Sequence, residues 1–124
     1  MEETGRKNHT RERERENVAT MKRWVGKKKA RTIYDSDVDE FTNEMFNAKC
    51  MNKPNIAVIG FTTDGDVFGG YLEKEVSESW KLLKDPNHFI FSFQSNGRCK
   101  TPMRFVKKKE MKDGTSVWWF ANSR

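Results

Sequence analysis

Apolar positions are scarce over the first 22 residues and then gather into short runs separated by turn residues. The stretch RERERE, residues 11–16, alternates in sign. On a helix it would pair Arg11 with Glu14 and Glu12 with Arg15 at i,i+3. There are too few apolar positions for a heptad seam, so residues 1–23 read as a charged arm, helical or disordered. Trp24 is the first large apolar residue and the expected first anchor of a body spanning 24–124.

Within that body, Thr32–Ile33–Tyr34 reads as a short strand. Residues 35–50 then carry Val38, Phe41, Met45 and Ala48 at helical spacing, with Phe46 and Cys50 widening the stripe. Ser36 or Asp37 is the expected cap, with Asp39 or Glu40 as box partner, and Pro54 the stop. Val76, Trp80 and Leu83 predict a second short helix ending before Pro86.

Three hairpins follow from turn chemistry. IAVIGF and VFGGYL flank Asp64-Gly65, and Asp-Gly between apolar runs favours a two-residue turn. That turn would set Phe61 opposite Phe68 and Gly60 opposite Gly69, in a central hairpin covered on both faces. The glycine pair would leave a hollow for a bulky side chain from another layer, so Gly69→Val should cost more than about 1 kcal/mol. Phe89, Phe91 and Phe93 alternate ahead of Asn96-Gly97, and Pro102 pushes the return strand to an edge or bulge. Asp113-Gly114 marks a third hairpin, placing Lys109 across from Trp118, where a lysine stem can cover an indole. The expected class is α+β: an antiparallel sheet with helices packed on it.

Charge refines this picture. The net charge is +6, and eleven Lys/Arg against five Glu in residues 1–31 account for all of it. The remaining residues are balanced. Lys27, Lys28, Lys29 and Arg31 form the densest basic cluster and a candidate contact patch for nucleic acid or an acidic surface. No aromatic stacking pattern or reader motif accompanies it. No apolar run is long enough to span a membrane, and the N-terminus lacks the apolar core of a signal peptide. Cys50 and Cys99 read as free thiols of a reducing compartment, cytosolic or nuclear.

Candidate catalytic chemistry is thin. GFTTDG has the outer spacing of a phosphate loop, but Asp66 stands where the lysine belongs. Asp35, Asp37 and Asp39 begin like a calcium loop, but Glu40 and Phe46 occupy the glycine and glutamate positions. His9 and His88 have no metal-ligand spacing with the cysteines. Cys99, between Arg98 and Lys100, is a candidate low-pKa thiol. The expectation is a non-enzymatic protein with no cofactor and no metal.

Several stretches in order resemble the TLDc domain family. WVGKKKARTIYDSDVDEF carries Trp24, Gly26, Tyr34, Asp35 and Ser36. FTTDGDVFGGYL carries Gly65, Phe68, Gly69 and Gly70, and DPNHFIFSFQSNGRCKTPMRF carries Phe91, Ser92, Phe93, Pro102, Arg104 and Phe105. The resemblance covers about residues 24–105. It implies an antiparallel β-sandwich with flanking helices, here an incomplete one, because family domains continue well past the Pro-x-Arg-Phe strand. It also implies a cytosolic, non-catalytic interaction module linked to protection against oxidative stress. The expected partner is a protein, such as a peripheral subunit of the vacuolar proton ATPase. A basic nucleic-acid-binding module acting through the arm is the alternative.

Overall fold

The computed structural model describes residues 2–77, 83–98, 101–106 and 115–116. The chain divides into two compact units, residues 1–32 and 33–124.

The first unit holds helix α1, Glu2–Val25. Its Arg, Glu and Lys residues are good helix formers, so the expected arm is a helix. Lys22 and Arg23 sit in the last turn, where cations complement the macrodipole. Gly26 ends it at φ +70°, and the N–H groups of Gly26 and Lys27 both donate to the Lys22 carbonyl at 2.9 and 3.2 Å. The side chain at Thr20 accepts from Arg23 Nη2 at 3.3 Å.

Among the described residues, the second unit holds a four-stranded antiparallel sheet, a two-stranded ladder and one helix. Helix α2 runs Asn43–Cys50, and the strands are β1 Ile56–Phe61, β2 Val67–Leu72, β3 Leu83–Lys84, β4 Phe89–Gln94, β5 Met103–Val106 and β6 Thr115–Ser116. The main sheet has the order β1-β2-β4-β5, and β3 pairs with β6 in a separate two-stranded ladder. This is the expected α+β class, and the main sheet is open, with β1 and β5 as its edges. Pro102 leads into edge strand β5, as its missing N–H requires.

Four expectations need correction. Residues 32–34 are not a strand. The helix begins at Asn43, seven residues beyond Ser36, because the Thr42 side chain caps it by accepting from the Met45 N–H at 3.1 Å. Residues 73–77 are not helical, and Leu83–Lys84 is strand, so the helix expected around Trp80 is absent from the described residues. The β1–β2 register is shifted by one: Phe61 faces Val67, Gly60 faces Phe68 and Gly69 faces Ile59. The connection is five residues long, because Thr62 closes it at both ends. Its N–H donates to the Asp66 carbonyl at 3.0 Å, and its Oγ1 accepts from the Asp66 N–H at 2.9 Å. A one-residue slip flips one strand against the other, so Phe68 leaves the face that Phe61 occupies. The strand order makes β1 an edge strand, so of that hairpin only β2 is interior and the expected central position holds for β2 alone. The third expected hairpin, with Lys109 and Trp118, lies outside the described residues apart from β6.

Two cores hold the unit together. On one face Tyr71, Phe89, Phe91 and Phe93 are buried in a row, with ring centroids 5.1, 6.2 and 4.7 Å apart in succession. The Arg104 guanidinium lies 5.3 Å from the Phe89 centroid and adds a cation–π contact. At the far end of β2 on the other face, Leu72 packs with Cys50 of α2 and with Val76, and Ile33, Tyr34, Phe46 and Met51 close around them.

Candidate interaction surface

The first residues of the second unit build an aromatic cleft with an acidic border. Asp35 organises it: its Oδ1 accepts from the Asp37 N–H at 2.9 Å, and its carbonyl accepts from the N–H groups of Val38 and Asp39 at 3.0 and 2.7 Å. The Asp35 N–H donates to Asp39 Oδ2 at 2.8 Å. Lys49 on α2 pairs with Asp39 at 3.2 Å. The Asp35 N–H and the Lys49 ammonium hold the Asp39 carboxyl below its ordinary pKa. The Tyr34 hydroxyl donates to the Glu40 carbonyl at 3.2 Å, and its ring meets Phe46 edge-on with centroids 5.2 Å apart.

This turn, rather than a helix, carries the stripe expected for residues 35–41. Val38 and Phe41 are consequently 80% and 84% exposed instead of packed. Tyr34, Phe41, Thr42, Asn43 and Phe46 line a cleft of about 490 Å³. Exposed Asp35, Glu40 and Glu44 adjoin its lining residues in the chain.

A second exposed apolar area lies on the sheet. Phe68, Ile90, Met103 and Phe105 are 42–54% exposed. Ile90 pairs with Phe105, and Ser92 pairs with both Phe68 and Met103. Side chains at directly paired positions share a face, so the four form one patch, opposite the buried aromatic row. The β2–β4 pairing of Phe68 with Ser92, just past a bulge at Val67/Phe68, places Phe68 in it.

The loops beneath are held by a residue that sequence reasoning missed. Asp85 is 0% exposed. Its carboxylate accepts from the N–H groups of Glu73, Lys74 and Asn87 at 2.7, 3.1 and 3.0 Å. Its carbonyl meets His88 Nδ1 at 2.8 Å, and Asn87 Nδ2 donates to Glu73 Oε1 at 3.0 Å. It ties the exit of β2 to the approach of β4. The Asp-Pro-Asn turn signal at 85–87 was the only trace of it in the sequence. Tyr71 donates to Asn55 Oδ1 at 2.7 Å, and burial, with Glu73 and Asp85 nearby, pushes its phenol up to about 12. Burial also raises the Cys50 thiol, so it is less ionised than an ordinary thiol.

The residues singled out from the sequence separate into distinct places. Trp24 sits on the last turn of α1 and Gly26 just beyond it. Lys27, Lys28, Lys29 and Arg31 are all exposed. Tyr34 and Asp35 belong to the cleft, and Ser36 is exposed in its turn. Gly65 takes φ +89° in the first loop, and Arg98 bridges to Asp66 across to the next turn at 3.0 Å. Gly70, Phe91 and Phe93 are buried, whereas Phe68 and Phe105 are on the open face. Ser92 Oγ donates to the Gln94 carbonyl at 3.4 Å. A Cβ on Gly69 would overlap the Val58 carbonyl and come within 2.9 Å of Phe91 Cζ. The close approach expected there is real, but the ring comes from the adjacent strand and the tightest neighbour is backbone. Cys99 lies outside the described residues. Among the described residues, no group of three or more His, Cys, Asp or Glu could hold a metal, and no helix is long and apolar enough to cross a membrane.

The family model of the TLDc domain matches residues 10–122, extending the likeness beyond residues 24–105 on both sides. No curated protein and no solved structure matches the chain.

Proposed function

The chain belongs to the TLDc domain family, and on that premise we propose that it is a non-catalytic protein-interaction module. Its role is protection against oxidative stress, exercised by docking on a peripheral subunit of the vacuolar proton ATPase. The observation that carries the docking is the open sheet face of Phe68, Ile90, Met103 and Phe105. Contiguous apolar surface on a charged chain is unfavourable in water unless a partner covers it.

The test is capture of identified pump subunits on the immobilised chain. Wild type should recover them, and Phe68→Ser/Phe105→Ser should not, while both melt as folded proteins. Recovery no better than on a scrambled-sequence chain removes the reading.

A second reading rests on the exposure of Lys27, Lys28, Lys29 and Arg31. Nucleic-acid binding through them would weaken steeply with salt, at a log–log slope of about −0.7 to −0.9 per phosphate. Binding that survives replacement of these four residues by Gln excludes it.

A further inference from the structure

The open sheet face does not account for the most exposed aromatic side chain of the described body. Phe41 stands beside a cleft on a turn held by hydrogen bonds at Asp35, Asp39 and Tyr34. Its backbone is bounded by that turn on one side and by the Thr42 cap of α2 on the other. The cleft of about 490 Å³ lies within the roughly 300–1,000 Å³ typical of ligand sites.

Charge identifies the occupant. Residues 32–48 contain Asp35, Asp37, Asp39, Glu40 and Glu44 and no Lys or Arg. Lys49 neutralises Asp39, leaving four exposed carboxylates. The N-terminus of α2 offsets only about half an elementary charge. The stretch that borders the cleft thus carries net negative charge, whereas Lys and Arg outnumber Asp and Glu over the rest of the body.

We propose that the aromatic cleft of Tyr34, Phe41 and Phe46, bordered by the acidic turn, docks a basic segment of a partner protein that inserts an apolar side chain. The apolar anchor fills the cleft against the rings. Lys or Arg residues on either side reach Glu40 and Glu44, which adjoin the lining stretch 41–43 in the chain. The field steers the segment in, and the cleft selects for the anchor. This deepens the reading of the chain as an interaction module, through a surface separate from the open sheet face.

The test uses the full chain and a labelled basic probe peptide, Lys-Lys-Leu-Arg-Lys-Phe-Lys-Lys, titrated by fluorescence anisotropy. Wild type should bind it at least about tenfold more tightly than a probe with Leu and Phe replaced by Ser, a difference of about 1.4 kcal/mol. Phe41→Ser and Glu40→Gln/Glu44→Gln should each weaken binding about tenfold, with Phe105→Ser unchanged. All replaced side chains are exposed, so thermal melts should match wild type. Equal affinity of both probes, or of wild type and Phe41→Ser, overturns the proposal. A self-association seen by sedimentation and lost on both Phe41→Ser and Lys28→Gln also overturns it, because the occupant is then a second copy's arm. Pump-subunit capture lost in Phe105→Ser but kept in Phe41→Ser, with no cleft-dependent probe binding, would overturn this inference alone and leave the family reading standing.

Discussion

Two glycines of the first hairpin give opposite predictions from one ladder. A methyl group at Gly69 would overlap the Val58 carbonyl oxygen, a backbone atom that no rotamer change can move. β1 or β2 would have to shift, disturbing the pairing around Val58↔Gly70 and Ile59↔Gly69. Losing two ladder hydrogen bonds costs about 1–3 kcal/mol net. Turning the buried Phe91 ring off its rotamer adds about 0.5–1.5 kcal/mol. Restricting the unfolded chain returns about 0.5–1 kcal/mol. Gly69→Ala should therefore destabilise by about 0.5–4 kcal/mol, centred on about 2 kcal/mol, where Tm falls by roughly 8–16 °C for a domain of this size. At Gly60 the same methyl meets only Phe68, at 3.7 Å, an ordinary contact. Gly60→Ala should change stability by less than about 1 kcal/mol, in the stabilising direction. The assay is thermal melting followed by near-UV circular dichroism, with urea unfolding as a second measure. Gly69→Ala melting within a couple of degrees of wild type, or Gly60→Ala losing as much as Gly69→Ala, would refute the reasoning.

Other outcomes follow from single residues. Asp85→Ala leaves three N–H groups without their acceptor and should cost about 3–5 kcal/mol in urea unfolding. Asp85→Asn, which keeps one carbonyl oxygen, should cost less, and a cost below about 1 kcal/mol for the alanine would deny Asp85 its tying role. Thr42→Ala should cost about 1 kcal/mol by uncapping α2; placing the cap at Ser36 instead would make Ser36→Ala the damaging change. Tyr71 has its folded-state pKa raised from 10.0 to about 12. Its contribution is thus complete below pH 10 and lost as pH rises through about 12. Unfolding free energy measured across that window should fall in wild type and fall less steeply in Tyr71→Phe; parallel slopes would rule this out.

The strands were legible where alternation was clean. Phe89, Phe91 and Phe93 are buried on one face as their spacing required, and Asn96 and Gly97 both take positive φ at the turn. The edge position of β5 was legible in Pro102. Residues 35–41 misled because Val38 and Phe41 have helical spacing. The Asp35 side chain captures the Asp37 N–H and favours a turn there, a competition that periodicity does not register. The same competition at Thr62 lengthened the first connection and shifted its register. The exposure of Phe41, expected in a core, arises at the first of these departures, and the second takes Phe68 off the face of Phe61.

The amino-acid sequence by itself determined the α+β class, the alternating strands, the basic N-terminal segment and the family, since these depend on local pattern and on ordered motifs. Only the tertiary structure decided that Asp85 is buried as a threefold acceptor, that β1 is an edge, and which aromatics face solvent. Those outcomes depend on where backbone N–H groups distant in the chain converge, and on which strands pair with which across the sheet.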